Sequence, residues 1–102
     1  MAHRVVWSPR AISDVDKIGL FISADSPSYA NAVVRRIITL VRTLAQFPHA
    51  GRKVPEFDDE QIRELIAYSY RIIYIVEQTE VLIAAVIHGN AFYDPIASAY
   101  IL

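Results

Sequence analysis

Residues 62–88 read Ile62-Arg63-Glu64-Leu65-Ile66-Ala67, Tyr68-Ser69-Tyr70, Arg71-Ile72-Ile73-Tyr74-Ile75-Val76, Glu77-Gln78-Thr79-Glu80, Val81-Leu82-Ile83-Ala84-Ala85-Val86-Ile87-His88. Three apolar runs rich in β-branched residues are divided by short polar links, and the pattern alternates with a period of two. This stretch predicts three strands, Ile62–Ala67, Arg71–Val76 and Val81–His88. Tyr68-Ser69 links the first pair, and Glu77–Glu80 forms a polar hairpin loop. The third run is apolar on both faces, as suits a central or covered strand. Arginine recurs where the strands are otherwise apolar. A guanidinium in or beside a sheet core requires either an internal acid or a bound anion.

Upstream of this stretch the period is helical. His3–Trp7 reads as a first strand, with Val5 and Trp7 on one face. Ser8-Pro9 is a helix start, with serine as the cap and proline at the first helical position. Ile12, Val15, Ile18, Gly19 and Ile22 then follow a helical spacing. Ser26-Pro27 repeats the start signal for a second helix carrying Ala30, Val33, Val34, Ile37, Ile38, Val41, Leu44 and Ala45, with Phe47-Pro48 as its stop. The link between the helices is short enough for an antiparallel αα-hairpin. The tail, Asp94 to Leu102, reads as a short helix through Ile96, Ala97, Tyr100 and Ile101. The expected fold is α+β in the order β-α-α-β-β-β, one domain over residues 1–102, with the helical hairpin packed on one face of a mostly antiparallel sheet.

Composition narrows the class. The chain has 102 residues, 54% of them hydrophobic, and a mean hydropathy of +0.29. For so small a domain that is more apolar surface than a monomer hides, which predicts a partner groove or an oligomer. No apolar run reaches the ~18 residues of a membrane span, and the first residues lack a signal-peptide layout, so an intracellular, cytoplasmic protein is expected. There is no cysteine, which excludes disulfides and thiolate metal sites. The net charge is −1 but uneven: Arg35, Arg36, Arg42, Arg52 and Lys53 lie in a stretch, Ser26 to Pro55, that holds no acid, and no lysine or arginine follows Arg71. Proteins that bind nucleic acid through its phosphates usually carry a stronger positive balance.

The residues with chemical potential each have two readings. Arg63 aligns with Leu65 and Ala67, and Arg71 with Ile73 and Ile75. Either arginine forms a structural ion pair, for instance with Glu56 or Glu64, or builds an anion site for a phosphate or a partner's carboxylate. His88, at a strand end before Gly89, is either a hydrogen-bonded terminus or a general acid or base assisted by Tyr93 and Glu56. His3, His49 and His88 lack metal-ligand spacing, and Ser8, Ser13, Ser69 and Ser98 lack a nucleophile-elbow context. With only three glycines there is no phosphate-cradling loop, and neither a cofactor nor a metal is expected. Arg35, Arg36 and Arg42 fall on the polar face of the second helix, as a solvated surface or a contact for a partner or nucleic acid.

Trp7-Ser8-Pro9 with Ala11 and Asp14, then Phe47-Pro48, Gly51-Arg52 with Pro55-Glu56, Arg63-Glu64-Leu65, Tyr70-Arg71-Ile72-Ile73-Tyr74 and His88-Gly89 occur here in an order that resembles the RelE/ParE superfamily of toxins from type II toxin–antitoxin systems. The resemblance covers nearly the whole chain. It implies a growth-inhibiting toxin held in a complex with a cognate antitoxin, whose extended segment wraps the helices and sheet. ParE-like members poison DNA gyrase; RelE-like members cleave mRNA on the ribosome. The slightly acidic pI of about 6.3, the long helices and the poor basic content near the C-terminus favour the ParE-like side. If the chain is RelE-like, the positions that stand in for a catalytic set are Arg63, Arg71, His88 and Tyr93. Arg52, Glu56, Arg63 and Arg71 are the expected partner or anion contacts. The chain departs from the pattern after His88-Gly89, where Asn90-Ala91-Phe92-Tyr93 replaces the usual basic residues. That departure adds a third reading, a non-toxic module that still binds its antitoxin.

Overall fold

The computed structural model describes residues 2–91 and Tyr93; the helix expected from Asp94 to Leu102 lies outside the described residues. The elements are β1 (Arg4–Trp7), α1 (Pro9–Ser23), α2 (Pro27–Thr43), β2 (Arg52–Lys53), β3 (Ile62–Ala67), β4 (Tyr70–Val76) and β5 (Glu80–His88). One five-stranded sheet has the order β1-β5-β4-β3-β2. Only the β1–β5 pair is parallel; the others are antiparallel. The α+β fold expected from the sequence is the one observed, with one strand more. β2 is two residues long and charged, too short for alternation to reveal. The apolar β5 lies between β1 and β4, as its two apolar faces require.

Both helices begin at the serine–proline pairs. Ser8 accepts the Ala11 N–H at 3.0 Å, and Ser26 accepts the Tyr29 N–H at 3.2 Å. Each serine thus satisfies one of the amides that a first helical turn leaves without a partner. α2 stops at Thr43, ahead of Phe47-Pro48, yet Leu44 remains fully buried in the turn that follows.

Alternation gives the sheet two different faces. Val5, Trp7, Leu65, Ala67, Tyr70, Ile72, Tyr74, Val76, Val81, Ile83 and Val86 meet Ala11, Ile22, Ala30, Val33, Ile37, Val41 and Leu44 of the hairpin. The other face carries Ile62, Ile73, Ile75, Ala85 and Ile87, covered by Val54, Phe57 and Tyr93. β5 keeps apolar side chains on both faces through a bulge: Ile73 pairs with Ala85 while Tyr74 pairs with Ile83, so Ala84 is the extra residue. The start of α1 satisfies the backbone there. The Ser8 hydroxyl donates to the Ala84 carbonyl at 3.0 Å, and Asp14 Oδ2 accepts the Val86 N–H at 2.9 Å. Without such partners, polar groups released by a bulge would stay buried and unpaired.

The β3–β4 turn places Tyr68 at φ 54°, in the left-handed region that costs a tyrosine steric strain. Its ring meets Tyr29 edge-on, with centroids 5.8 Å apart.

Candidate functional site

The second sheet face holds a charged network whose position follows from register. Arg52 of β2 stands opposite Glu64 of β3, and Arg71 of β4 stands opposite Ile66, two residues along β3 from Glu64. All therefore project from the same face. Arg71 Nε donates to Glu64 Oε1 at 2.6 Å. Its two terminal nitrogens donate to Glu56 Oε2 at 2.8 Å and Oε1 at 2.6 Å, a bidentate fork. Nη1 also donates to the Ala91 carbonyl at 2.9 Å. The other oxygen of Glu64, Oε2, accepts from Arg52 Nη2 at 2.6 Å. Glu56 Oε2 also accepts the Tyr93 N–H at 3.1 Å.

The network is largely shielded from water. The Glu64 side chain is 0% exposed and that of Arg71 7%, whereas Arg52 reaches solvent. Hydrogen bonds from Arg71 hold the Glu56 carboxyl down at about 2, against the opposing cost of burial. The hydrogen bond to Glu56, with help from Glu64, raises the Arg71 pKa still further above its ordinary value. Charge-assisted pairs of this kind are strong because each partner stabilises the other's ionised form. Through Glu64 of β3 and Arg71 of β4, the network fastens two segments to the sheet: the 52–56 stretch and the chain after β5.

Arg63 belongs to the other face. It stands opposite Tyr74, on the helix side, and points to the loop before β2. Nε donates to the Glu60 carbonyl at 2.8 Å, Nη1 to the Gly51 carbonyl at 2.7 Å and Nη2 to Glu60 Oε2 at 2.9 Å. Beside it the buried Tyr74 hydroxyl accepts the Gly51 N–H at 2.8 Å. Burial, the main cause, pushes the Tyr74 pKa up. Gly51 permits this approach: a Cβ there would run into the Glu64 carbonyl oxygen and lie 2.7 Å from the Tyr74 hydroxyl.

His88 stands opposite Tyr70, ring edge to ring with centroids 5.9 Å apart. Its Nδ1 accepts the Asn90 N–H at 3.2 Å, and the side chain is exposed. It borders a cleft of about 320 Å³ with Tyr29, Ser69 and Tyr70. Since Arg63 pairs with Tyr74 and His88 with Tyr70, they sit about 13 Å apart along β4 at ~3.3 Å per residue. Of the residues singled out in the sequence, Arg52, Glu56 and Arg71 are brought together, with the Tyr93 backbone at their edge. Arg63 and His88 stand apart from them and from each other. Among the described residues no group of three or more histidines and carboxylates could hold a metal ion, and no helix is long and apolar enough to cross a membrane.

The helical hairpin supplies a different kind of surface. Trp7, Ile12, Val15, Asp16 and Ile38 line an open cavity of about 300 Å³. Val15, Asp16, Gly19, Leu20 and Val34 line a second of about 440 Å³. Shared residues join them into one trench between α1 and α2. Ile12 is 51% exposed, Leu20 73% and Phe21 77%, so part of the apolar excess expected from composition lies on this hairpin, with the rest at Phe47, Ile66 and Tyr68.

A family model described as the ParE toxin of the type II toxin–antitoxin system parDE matches residues 5–91. The chain belongs to this ParE toxin family. A Sinorhizobium fredii protein, Y4kP, named as a candidate toxin, is 45% identical over 49 residues. That match spans 48% of this chain and 51% of the relative, about half the length of each. The fold is also that of a chain from the chromosomal ParDE system of P. aeruginosa (TM-score 0.69, 21% identity, 85% of this chain and 96% of the other). A double mutant of the E. coli toxin RelE in its free state has the same fold (TM-score 0.68, 18% identity, 98% and 96%).

In this ParE-family chain Glu56 and Glu64, alternatives by sequence, both bind Arg71. The sharing of Glu64 with Arg52 has no sequence mark, because a two-residue strand leaves no periodic trace. Asp14 as a backbone acceptor and Tyr74 as the acceptor for Gly51 are likewise unmarked in the sequence. The paired Gly51-Arg52 and Tyr70-Arg71 motifs were the available signals.

Proposed function

We propose that this protein is a cytoplasmic ParE-type toxin that inhibits DNA gyrase and is neutralised by a cognate antitoxin covering the hairpin surface. The observation that carries the choice of target is the condition of the sheet's cations. Arg52, Arg63 and Arg71 are each held by internal carboxylates or carbonyls, and they are divided between two faces. Contact with ribosomal RNA relies on free cations meeting phosphates, and among the described residues the sheet offers no such cluster. The apolar trench supports the antitoxin part of the reading, since it would bury surface that water now covers.

The test uses purified gyrase and relaxed plasmid. The toxin should block supercoiling and cause cleaved DNA–gyrase complexes to build up; unimpaired supercoiling at saturating protein sinks the reading. The endoribonuclease reading draws on His88, exposed at a cleft with Tyr70 and Ser69, and on the RelE-like fold. It requires message to be cut in a translation extract, with cutting lost in His88→Ala. Expression without antitoxin should arrest growth; normal growth would favour a non-toxic binding module.

A further inference from the structure

The cations of this chain fall into two groups. Arg4, Arg10, Arg52, Lys53, Arg63 and Arg71 each have a carboxylate partner. Among the described residues Lys17, Arg35, Arg36 and Arg42 have none, and all four are exposed. Three of these four lie on α2, a helix of 17 residues without a single acid. Their placement is not uniform. Arg35 is three residues before Ile38 and Arg42 four after it, so both share the side of the helix that Ile38 turns to the trench. They form its rim on the α2 side. Arg36 falls on the other flank. Across the trench the lining residue Asp16 of α1 also lacks a partner among the described residues. The trench therefore has an apolar floor, a positive rim and a negative spot opposite.

We propose that Arg35 and Arg42 are the specificity-determining contacts of this trench, and that its occupant is an amphipathic protein segment with two acidic residues flanking its apolar stripe on the α2 side. The inference rests on the reading that a protein partner covers the hairpin, and it names the charge pattern that partner must carry. Arg35 and Arg42 are one heptad apart, about 10.5 Å along the axis at 1.5 Å per residue. A helical occupant lying along α2 meets them with acids at the same seven-residue interval. Complementary rim charges set partner choice and orientation more than total affinity, and a wrong pairing is penalised by repulsion. Duplex DNA is the poorer fit. Its backbone has no apolar stripe to bury on Trp7, Ile12 and Ile38, and Asp16 would repel its phosphates.

Trp7 is the sole tryptophan and lines the trench, so its emission reports occupancy directly. The probe is a tryptophan-free helical peptide of about 18 residues, roughly 27 Å long, with a leucine stripe, two glutamates seven residues apart on one flank and a lysine on the other. A second peptide has these charges reversed. At low salt the first should bind about tenfold more tightly, a difference of the size expected for three exposed ion pairs, two with the arginines and one with Asp16, replaced by repulsion. The preference should shrink as salt is added. Arg35→Glu/Arg42→Glu should reverse it while moving the melting curve only slightly: among the described residues neither arginine has a carboxylate partner to lose, and only Arg42, in the last turn of α2, gives up a favourable helix-dipole interaction. Equal binding of the two peptides, or a preference untouched by the double substitution, overturns the proposal. So does a short DNA duplex that binds through the same arginines while the peptides are not discriminated. Gyrase plays no part in this assay, so lost charge preference with intact gyrase inhibition refutes only the rim assignment.

Discussion

The two faces of the sheet are held by different physics. On the helix side, Ile37, Val33, Leu44 and Ile72, each 0% exposed, interlock with no charge among them. On the other side a thinner apolar layer is closed by Arg71, Glu56 and Glu64. Apolar packing is graded, since each lost methylene removes a share of the stabilisation. An ion network is closer to all or none, since losing one member leaves the others charged and buried. Both faces thus carry stability, the helix face in graded steps and the charged face as a unit, and the charged face also sets where the loop before β3 and the chain after β5 must lie.

The sharpest way to break this contrast is Arg71→Met. Among the described residues the substitution leaves Glu56 with only the Tyr93 N–H and Glu64 with only Arg52, so each buried carboxylate loses its main cation, which should cost about 3–5 kcal/mol in denaturant melts. Adding Glu56→Leu and Glu64→Leu should recover most of that; a triple variant as unstable as the single one would refute the orphaned-charge explanation. Ile37→Ala should cost about 3 kcal/mol, with no partner change able to rescue it.

Acid titration probes the same network. The Glu56 pKa is lowered on folding, from 4.5 to about 2. Its stabilising effect is therefore complete above pH 4.5 and is lost as pH falls toward 2. Glu56→Gln should flatten the stability curve in that window, and an unchanged slope would assign the acid sensitivity elsewhere.

Tyr74→Phe, which deprives the Gly51 N–H of its acceptor, should cost about 1–2 kcal/mol. At the small end, Arg4→Ala breaks a pair in which the arginine is 72% exposed; the melt should move by under about 1 kcal/mol.

The contrast between the faces also explains what could be read from sequence. Helix starts at Ser8-Pro9 and Ser26-Pro27 and the alternation in β3 to β5 are local signals, and the structure follows them to within a residue or two. The parallel pairing of β1 with β5 joins residues 4–7 to 80–83, a long-range choice with no local mark. The Ala84 bulge is equally hidden, because β5 is apolar on both faces and a one-residue shift leaves its pattern intact. At the charged face, residue types were legible but sharing was not. Whether Glu56 or Glu64 meets Arg71 depends on which segments the sheet brings side by side, and the answer is both. Arg63 had the same prospects by sequence, yet register sends it to the opposite face and to Glu60.

The most direct test of the account is a paired assay of one preparation, in gyrase supercoiling and in a translation extract. An occupied, divided set of sheet arginines predicts inhibited supercoiling and intact message. Cut message with supercoiling unimpaired would contradict it.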